Sequence, residues 1–443
     1  MQDYKYTLFW SDIPIYFIAF ALIYFIGRLV VHKQGRKSAS VFMNQPINMI
    51  SSVVLAFFFI VSFLDSIHLL NSSASVLSVL DYLLKPFILS DEKTYSSPLS
   101  IYAFSKEVIY DGHYYAQTYP RLSYGGAHIK DLSQWSGDIL RLLVSGLWHS
   151  LIAVLCLFVI FFRIFKLHRQ TVAWKSGFIT VSILVIATIF SLELSAKYHL
   201  LGTNKVGGDV FFEAIKGIRT AIVFGVLTCF SILPFATVLG IAAGYFKGAV
   251  DDLIQYIYTT LSAIPGILLI AAMVLIFDVS ILSHSQWFGS SEARADARLI
   301  LLCLIIGSTS WTGLCRLLRG EVLKLSNLEF IQAARCLGAS NTRILFKHLL
   351  PNVRHIIIIS LALDFSGFVL AEAVLSYIGV GVDPSTYSWG SMINSARIEL
   401  SRSPVVWWSL FASFFFMFSL VACVNVFADG LRDHLDPRVS KEG

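Results

Sequence analysis

The sequence predicts an all-α, polytopic membrane protein of about nine transmembrane helices, and both composition and hydropathy indicate it. Of the 443 residues, 56% are hydrophobic and only 14% are charged, with a mean hydropathy of +0.71. A soluble domain of this length needs a more charged surface. The apolar residues also form nine runs of about the length that crosses a bilayer as a helix. These runs are 13–31, 46–64, 141–162, 177–195, 220–244, 253–277, 298–315, 356–379 and 405–427.

Basic residues between these runs predict the orientation of the chain. Residues 28–37 and 163–175 each carry four Lys or Arg side chains and no acid. Residues 316–354 carry seven such side chains against two acids. Because basic loops stay in the cytoplasm, nine alternating spans place the N-terminus outside and the C-terminus inside. This orientation accounts for the net charge of +6, so the charge does not indicate a nucleic-acid partner.

Four segments follow in order along the chain. Residues 1–65 hold two spans, and residues 66–138 form a polar insert on the extracytoplasmic side. Residues 139–198 hold two additional spans, and residues 199–443 hold five spans with mostly shorter connections. The first run is followed rather than preceded by basic residues, which predicts a retained anchor instead of a signal peptide.

The insert is rich in Tyr, Ser and Gly and contains Pro98 and Pro120. This composition is typical of an ordered loop layer with little helix. Two interpretations of the insert remain open. It forms either a passive cap or a contact surface for an external partner, since aromatic residues are enriched at interfaces.

One short segment and four residues stand out within 199–443. Residues 207–218 carry apolar side chains at helical spacing, which predicts a short interfacial helix leading into the span that starts at 220. Pro234 and Pro265 interrupt spans and are predicted to kink them, either for gating or for simple helix contact. Asp364 and Glu372 lie in the run 356–379 and are candidates for a substrate pathway. The alternative for both acids is a hydrogen-bonded contact between helices.

Several chemistries are not indicated by the sequence. None of the six cysteines lies in the insert, so no disulfide framework is predicted. No Cys-x-x-Cys or His-rich pattern indicates a metal site. The sequence contains no phosphate-binding P-loop, nucleophile elbow or His-Glu-x-x-His pair. The chain is therefore predicted to be no enzyme and to bind no cofactor, and any ATP hydrolysis must occur in another subunit.

Residues 327–350 predict a helix, a glycine stop and a second helix. The apolar residues of the first helix share one face, and Gly338 can end it in the left-handed conformation. Ser340 or Asn341 can cap the second helix, which is expected to end at Pro351. An ordinary surface hairpin is one interpretation. Docking to a partner is the other, and it is favoured because an amphipathic helix laid in a groove is a recurring recognition mode.

The segment QAARCLGASNTRILFKHLLPN, residues 332–352, resembles the EAA signature of ABC importer permeases. Gln332 stands where the family has Glu, and His348 stands at the usual Ile position, as it often does in the peptide-importer branch. The resemblance implies that this cytoplasmic loop, about 320–354, inserts into a groove of an ATPase subunit and couples it to transport. The coupling residues it indicates are Gln332, Ala333, Ala334, Gly338, Arg343, His348, Leu350 and Pro351.

The resemblance extends over roughly 199–438. It includes HLLGTNKVGGDV, GYFKGAVDDLIQ, WTGLCRLLRGEVLKL, LAEAVLSYIGVGVDPSTYSWGSMI and FADGLRDHLDPR. Together these segments are similar to the dipeptide/oligopeptide/nickel importer permeases of the bacterial cytoplasmic (inner) membrane. The phrase YDGHYY, followed by YGG, resembles the exported loop of the Yej-type oligopeptide importers. The additional spans at 141–162 and 177–195 depart from both patterns.

The resemblance implies a subunit that forms half of a pathway for peptides, in contact with membrane lipid. Its implied partners are a second, different permease, two ATP-binding subunits that use ATP and Mg, and an extracytoplasmic substrate-binding protein. Another small substrate such as nickel is an alternative within the family. An ATP-independent secondary transporter is an alternative from another class, but it predicts inverted repeats and gives the 327–350 loop no purpose.

Overall fold

The computed structural model describes residues 5–31, 33–70, 76–85, 91–110, 115–167, 173–283 and 290–435. Helices dominate these ranges, which confirms the prediction of an all-α polytopic protein. Parts of two quoted sequence segments, 111–114 of YDGHYY and 436–438 of FADGLRDHLDPR, lie outside the described residues.

Fifteen helices are numbered here in chain order. They are α1 (Ile13–Val31), α2 (Lys33–Asn44), α3 (Pro46–Ser66), α4 (Val79–Leu83), α5 (Trp135–Leu167), α6 (Trp174–Ser195), α7 (Val210–Phe246), α8 (Gly248–Ala263), α9 (Gly266–Ser283), α10 (Ser291–Ser310), α11 (Thr312–Leu325), α12 (Glu329–Cys336), α13 (Leu350–Ile378), α14 (Trp389–Glu399) and α15 (Trp408–Leu435).

Among the described residues, six helical segments are long and apolar enough to cross a membrane. They are Pro46–Ser66, Trp135–Arg163, Trp174–Ser195, Val210–Phe246, Asn341–Ile378 and Trp408–Leu435. Two further candidates are bent pairs, α8 with α9 at 83° and α10 with α11 at 41°. These eight segments coincide with eight of the nine predicted runs. The first run coincides with a shorter apolar helix, Trp10–Phe25.

The chain divides into two compact units. The first unit comprises Met1–Leu8, Ile18–Thr220 and Tyr387–Cys423. The second unit comprises Phe9–Phe17, Ala221–Thr386 and Val424–Gly443.

The first unit contains two small sheets, whose strands, except the first, lie between α3 and α5 in the chain. Strands β1 (Lys5–Thr7), β2 (His68–Leu70) and β3 (Val76–Ser78) form an antiparallel sheet in that order. Strands β4 (Glu107–Tyr110) and β5 (Tyr115–Thr118) form a separate hairpin. The sequence predicts little helix in the insert, and in its described part helix is limited to the five-residue α4, short turns and the start of α5; its strands were not predicted.

Helices α5 and α6, which correspond to the additional spans, pack against each other through small and aromatic residues. Near one end of the pair, Phe161 contacts the rings of Trp174 and Phe178. Toward the other end, Gly146 lies against Phe190, where an added Cβ would come within 3.3 Å of the ring. Contacts at both ends show that the two helices run antiparallel along a shared face.

Helix α7 corrects the prediction of a separate interfacial helix over 207–218. It is one continuous helix of 37 residues from Val210 to Phe246. Residues 210–220 contain no proline, and propagation of a helix adds one hydrogen bond for each residue fixed. The glycine in this stretch, Gly217, is a contact point, because a Cβ there would lie 2.7 Å from Cδ1 of Trp389. Trp389 also donates from Nε1 to the carbonyl of Ala214 at 2.8 Å.

In the second unit, α7 and α11 approach each other closely at two glycines one turn apart. A Cβ added to Gly240 would lie 2.9 Å from the carbonyl oxygen of Cys315. A Cβ added to Gly244 would lie 2.7 Å from Cβ of Val322. Small residues at four-residue spacing let membrane helices pack backbone to backbone. The second half of α7 is thereby held against α11, which leads directly into α12.

Candidate functional site

Helix α12 is a short, sharply ended helix that follows α11. Gly338 has φ of 78°, the left-handed conformation that was predicted for it. Its N–H donates to the carbonyl of Arg335, and the N–H of Ala339 donates to that of Ala334, both at 3.0 Å. This pair of bonds is the Schellman motif, which satisfies carbonyls that the helix end leaves free. The turn after α12 therefore has a defined geometry.

The second helical segment of the loop begins as predicted but continues further. The side chain of Ser340 accepts a hydrogen bond from the N–H of Arg343, so Ser340 is the N-cap. A helical turn at Asn341–Arg343 leads into a π-helical stretch, Ile344–Leu349, and then into α13. The expectation that Pro351 ends this helix is wrong, because helical structure runs without a break from Asn341 to Ile378.

The π-helical stretch explains how the helix passes Pro351. The N–H of Leu350 donates to the carbonyl of Leu345, five residues back, so the register has already widened before the proline. Pro351 lies in the first turn of α13, where proline is tolerated. The side-chain amide of Asn352 donates to the carbonyl of His348 at 2.6 Å, which supplies a further donor at this point.

The loop is held to the C-terminal end of α7 by hydrogen bonds and a cation–π contact. The hydroxyl of Tyr245 donates to Oδ1 of Asn341 at 2.9 Å, and the Arg335 guanidinium lies 5.1 Å from the centre of the Tyr245 ring. Lys247 donates to Oδ1 of Asn327 at 3.1 Å. Three apolar side chains of the loop are fully buried: Ile331, Ile344 and Leu349. Both helices of the loop are thus fixed to the body of the second unit.

The loop also presents large apolar side chains on its surface. The apolar crest, as this group is named here, consists of Leu328, Phe330, Leu337 and Phe346. Leu337 is 87% exposed and Phe346 is 66% exposed. Arg343 and Lys347 are exposed on the same loop. Apolar side chains of this size rimmed by charge are typical of a protein interaction surface.

The residues indicated by the EAA pattern fall into two groups. Exposed members are Gln332, Ala333, Gly338, Arg343 and Pro351, and half-buried members are Ala334, His348 and Leu350. Gln332 donates from its amide to the backbone carbonyl of Asn327 at 3.3 Å. An ionised Glu at this position could not donate that bond. The substitution therefore adds a contact within the loop.

The two acids of α13 lie in different environments. Glu372 is buried, with 3% of its surface exposed, and accepts a hydrogen bond from the Ser376 hydroxyl at 2.8 Å. Asp364 is only half-buried, and no hydrogen bond to its carboxylate occurs within the described ranges. Glu372 is therefore part of a local contact, whereas the carboxylate of Asp364 remains available.

The two prolines predicted to kink spans also differ. Helix α7 continues through Pro234 as a single helix. Pro265 lies in the two-residue break between α8 and α9, where the helix axis turns by 83°. The residue before a proline is disfavoured in helical conformation, and Ile264 is extended, with φ of −87° and ψ of 131°.

A comparison with known proteins covers the loop and α13. Residues 236–441 match a family described as binding-protein-dependent transport system inner membrane component. The oligopeptide transport system permease protein OppC of Haemophilus influenzae is 31% identical over 241 residues, which cover 54% of this chain and 71% of that protein. The chain belongs to this family.

Two other relatives show the same level of similarity. The dipeptide transport system permease protein DppC of Alkalihalophilus pseudofirmus is 32% identical over 289 residues, which cover 62% of this chain and 88% of that protein. The glutathione transport system permease protein GsiD of Pectobacterium atrosepticum is 32% identical over 247 residues, which cover 56% of this chain and 75% of that protein. As a binding-protein-dependent permease, the chain is a transport component of the bacterial inner membrane. It works with a partner permease, an ATPase and a substrate-binding protein.

Sequence reasoning missed a buried ion cluster in this permease, which lies N-terminal to the family match. Within the first unit, Nδ1 of His199 lies 2.8 Å from Oδ2 of Asp209, and Nε2 lies 3.6 Å from Oε1 of Glu92. Burial alone would raise the pKa of Glu92, but contacts with His199 and with the backbone N–H groups of residues 123–125 outweigh burial and lower it to about 2. The sequence signal for this cluster was the presence of His199 and Asp209 in HLLGTNKVGGDV. That signal was not sufficient, because the third member, Glu92, is distant in sequence.

The same segment is bound to the backbone of the insert. The N–H of Ser96 donates to the Thr203 hydroxyl at 2.6 Å, and that hydroxyl donates to the carbonyl of Thr94 at 2.8 Å. Gly202 and Gly207 have positive φ, and a Cβ on either would collide with the backbone of the insert. The insert and residues 199–210 therefore form one hydrogen-bonded body.

A second cluster was also missed, at the N-terminal end of α7. Lys216 lies 2.5 Å from Oδ1 of Asp65 and 2.8 Å from Oδ1 of Asp81. Asp65 also accepts a hydrogen bond from the Ser78 hydroxyl at 2.7 Å. These contacts connect α3 and α4 to α7 within the first unit. Within the described residues, no group of three or more His, Cys, Asp or Glu side chains is arranged to hold a metal ion.

Proposed function

We propose that this chain is the permease subunit of an ATP-driven peptide importer and is coupled to its ATPase through residues 329–351. The relatives compared above are named as transporters of oligopeptides, dipeptides and glutathione, which favours a peptide substrate. The apolar crest of the loop carries the coupling part of the proposal. Large apolar side chains rimmed by charge on a firmly held loop are typical of a surface that a partner covers.

The structure of the loop suits it to transmit a displacement. Its turn at Gly338 is held by two backbone bonds, and its second helical segment continues into α13 without a break. If a closing ATPase displaced α12, the displacement would therefore be transmitted to α13 through the continuous helix and the buried contacts of the loop. Helix α13 carries Asp364 and Glu372, the candidates for the pathway wall. Such rigid movement of packed helices is a known means of alternating access.

In the complete importer, this subunit would form half of the pathway beside a second, different permease. Two ATP-binding subunits would hydrolyse ATP with Mg at the cytoplasmic side, where the positive charges of 316–354 place the loop. The insert, 66–138, would lie at the extracytoplasmic side, where the substrate-binding protein delivers its cargo. Residues 139–198 would add two helices at the lipid-facing periphery, since their exposed side chains are largely apolar.

The coupling proposal is tested by placing a charge on the apolar crest. Leu337→Asp should fold normally, because Leu337 is 87% exposed and buries little surface. It should weaken co-purification of the ATPase subunits with the permease and abolish most ATP-dependent uptake. Tyr115→Asp is the matched control, since Tyr115 is 77% exposed on strand β5 of the insert. If Leu337→Asp retains the ATPase and transports as well as Tyr115→Asp does, residues 329–351 are not the coupling surface.

A further inference from the structure

The insert contains an open cleft that the proposed function does not use. Its volume is about 460 Å³, and it lies entirely within the first unit. The cleft is formed between loops of the insert and the turn that precedes α15. Its lining includes Ser97, Ser100, Tyr102, Phe104, Tyr119 and Pro404.

Two exposed tyrosine rings line the cleft. Tyr119 is 51% exposed and Tyr102 is 37% exposed. Neither phenol hydroxyl has a hydrogen-bond partner within the described part of the chain. Tyrosine offers large contact area and a hydrogen-bonding tip at low cost in conformational entropy, which is why binding surfaces are enriched in it. The cleft is thus suited to contact both an apolar side chain and a polar backbone.

The Phe104 side of the cleft is backed by buried structure. The ring of Phe104 packs edge-on against Trp408 at 5.0 Å between centroids, and Trp408 is 1% exposed. The indole N–H of Trp408 donates to the carbonyl of Thr203 at 2.9 Å. The N–H of Ala103 donates to the carbonyl of Pro120 at 2.9 Å and fixes the two sides of the cleft to each other. A surface fixed in this way suits a docked partner better than a substrate in transit.

The rim of the cleft carries positive charge. The Lys106 ammonium lies 5.6 Å from the centre of the Tyr119 ring. Arg402, two residues before Pro404, stacks its guanidinium at 5.0 Å over the ring of Tyr95. Glu107, the acid next to Lys106, lies 3.9 Å from the Lys93 ammonium instead. Carboxylates of a partner would therefore meet exposed cations here, beside exposed aromatic rings.

We propose that this cleft is the docking site for the substrate-binding protein, which would insert an apolar side chain flanked by acidic residues. This inference rests on the proposed function, which places the insert on the side where that protein acts. The volume admits a few side chains and not a whole protein face, so the cleft would be one anchor within a larger contact. The basic rim would raise the rate of encounter and fix the orientation.

The test measures how the binding protein of the same transport system stimulates ATP hydrolysis by the complete importer in lipid nanodiscs. Tyr119→Ser removes a ring from the cleft, and Lys106→Glu reverses the charge of its rim. Each should raise the half-saturating concentration of substrate-loaded binding protein by about 10-fold, as expected for loss of an interface anchor. The Lys106→Glu effect should shrink as salt concentration rises.

Two control variants match these changes outside the cleft. Tyr115→Ser alters an exposed tyrosine of strand β5, and Lys130→Glu reverses an exposed lysine of the insert. Both should keep the wild-type half-saturating concentration. Unchanged values for the two cleft variants, or equal changes in the controls, would overturn the inference.

Two other occupants of the cleft are tested in the same system. If the Lys106→Glu effect disappears in nanodiscs without anionic lipid, a lipid headgroup occupies the cleft and the inference is wrong. If free peptide binds the wild-type importer but not Tyr119→Ser, the cleft holds substrate and the inference is again wrong. A wild-type importer that no peptide-loaded binding protein stimulates would instead count against the proposed function itself.

Discussion

The imidazole of His199 faces the carboxylate of Glu92 across 3.6 Å, and both side chains are almost completely buried. The two residues are far apart in sequence, one in the insert and one just before α7. Asp209 holds the other ring nitrogen at 2.8 Å. A buried charge is tolerable only when partners surround it, and here the partners belong to different segments of the first unit. The ion cluster therefore makes attachment of the insert depend on protonation of one histidine.

The first prediction concerns pH. Burial alone would lower the pKa of His199, but contacts with Asp209 and Glu92 outweigh burial and raise it to about 9. A group whose pKa is raised on folding stabilises the fold below its unfolded value, near 6.5, and loses that effect as pH rises through 9. The melting temperature of the purified protein should therefore fall by several degrees between about pH 7 and about pH 9.5.

The matched variants for this pH dependence are two histidine substitutions. In His199→Gln the melting temperature should fall less steeply with rising pH, because glutamine does not titrate. His128→Gln, at a partly exposed histidine of the same unit, should show the same fall in melting temperature as the wild type. An equally steep decline in His199→Gln would show that other groups cause the pH dependence.

The second prediction concerns Gly207. Its φ is 86°, and an added Cβ would lie 1.7 Å from the carbonyl oxygen of Glu92. Gly207→Ala should therefore cost more than about 3 kcal/mol and release the insert to limited proteolysis. Gly208→Ala is the control, because its Cβ would meet no backbone, only the ends of the Asn204 side chain at 3.2 Å and the Glu213 side chain at 3.4 Å. Equal protease resistance in the two variants would contradict this role of Gly207.

The third prediction concerns Lys216 and its two carboxylates. Lys216→Met removes the cation that Asp65 and Asp81 share and should destabilise the first unit by about 3–5 kcal/mol. Adding Asp65→Asn and Asp81→Asn to that variant should restore part of the loss, because the buried negative charge is then gone. Lys205→Met, at an exposed loop position, should change the free energy of unfolding by less than about 0.5 kcal/mol. Thermal unfolding of the wild type and of each variant measures these differences in the free energy of unfolding.

Local patterns predicted the spans and the loop because each depends on neighbouring residues. Apolar runs locate helices in a membrane, and Gly338 ends α12 through its own left-handed backbone. Pro351 was misjudged because the π-helical register before it is not visible in residue type. The contact of Glu92 with His199 could not be predicted, since nothing local brings two residues so distant in sequence together.

The fourth prediction concerns coupling through Gly338. A Cβ added there would meet no atom within 4 Å, so Gly338→Ala causes only backbone strain, at about 1–2 kcal/mol. The strain should loosen the turn after α12 and lower ATP-driven uptake, while the melting temperature of the complex stays near wild type. Gly320→Ala also adds a Cβ in open space but without positive φ, and it should transport normally. Equal uptake by the two variants would exclude a role for the turn in coupling.

The fifth prediction separates the two acids of α13. Asp364 is half-buried and accepts no hydrogen bond within the described ranges, so Asp364→Asn should leave assembly of the importer intact. Removing its negative charge should reduce uptake of peptides with a free amino terminus relative to acetylated ones by about 5-fold, or roughly 1 kcal/mol. Glu372 is buried and bonded to Ser376, so Glu372→Gln should lower the yield of assembled complex more than it changes that ratio. Competition uptake with paired peptides measures the ratio, and an unchanged ratio in Asp364→Asn would remove Asp364 from the pathway.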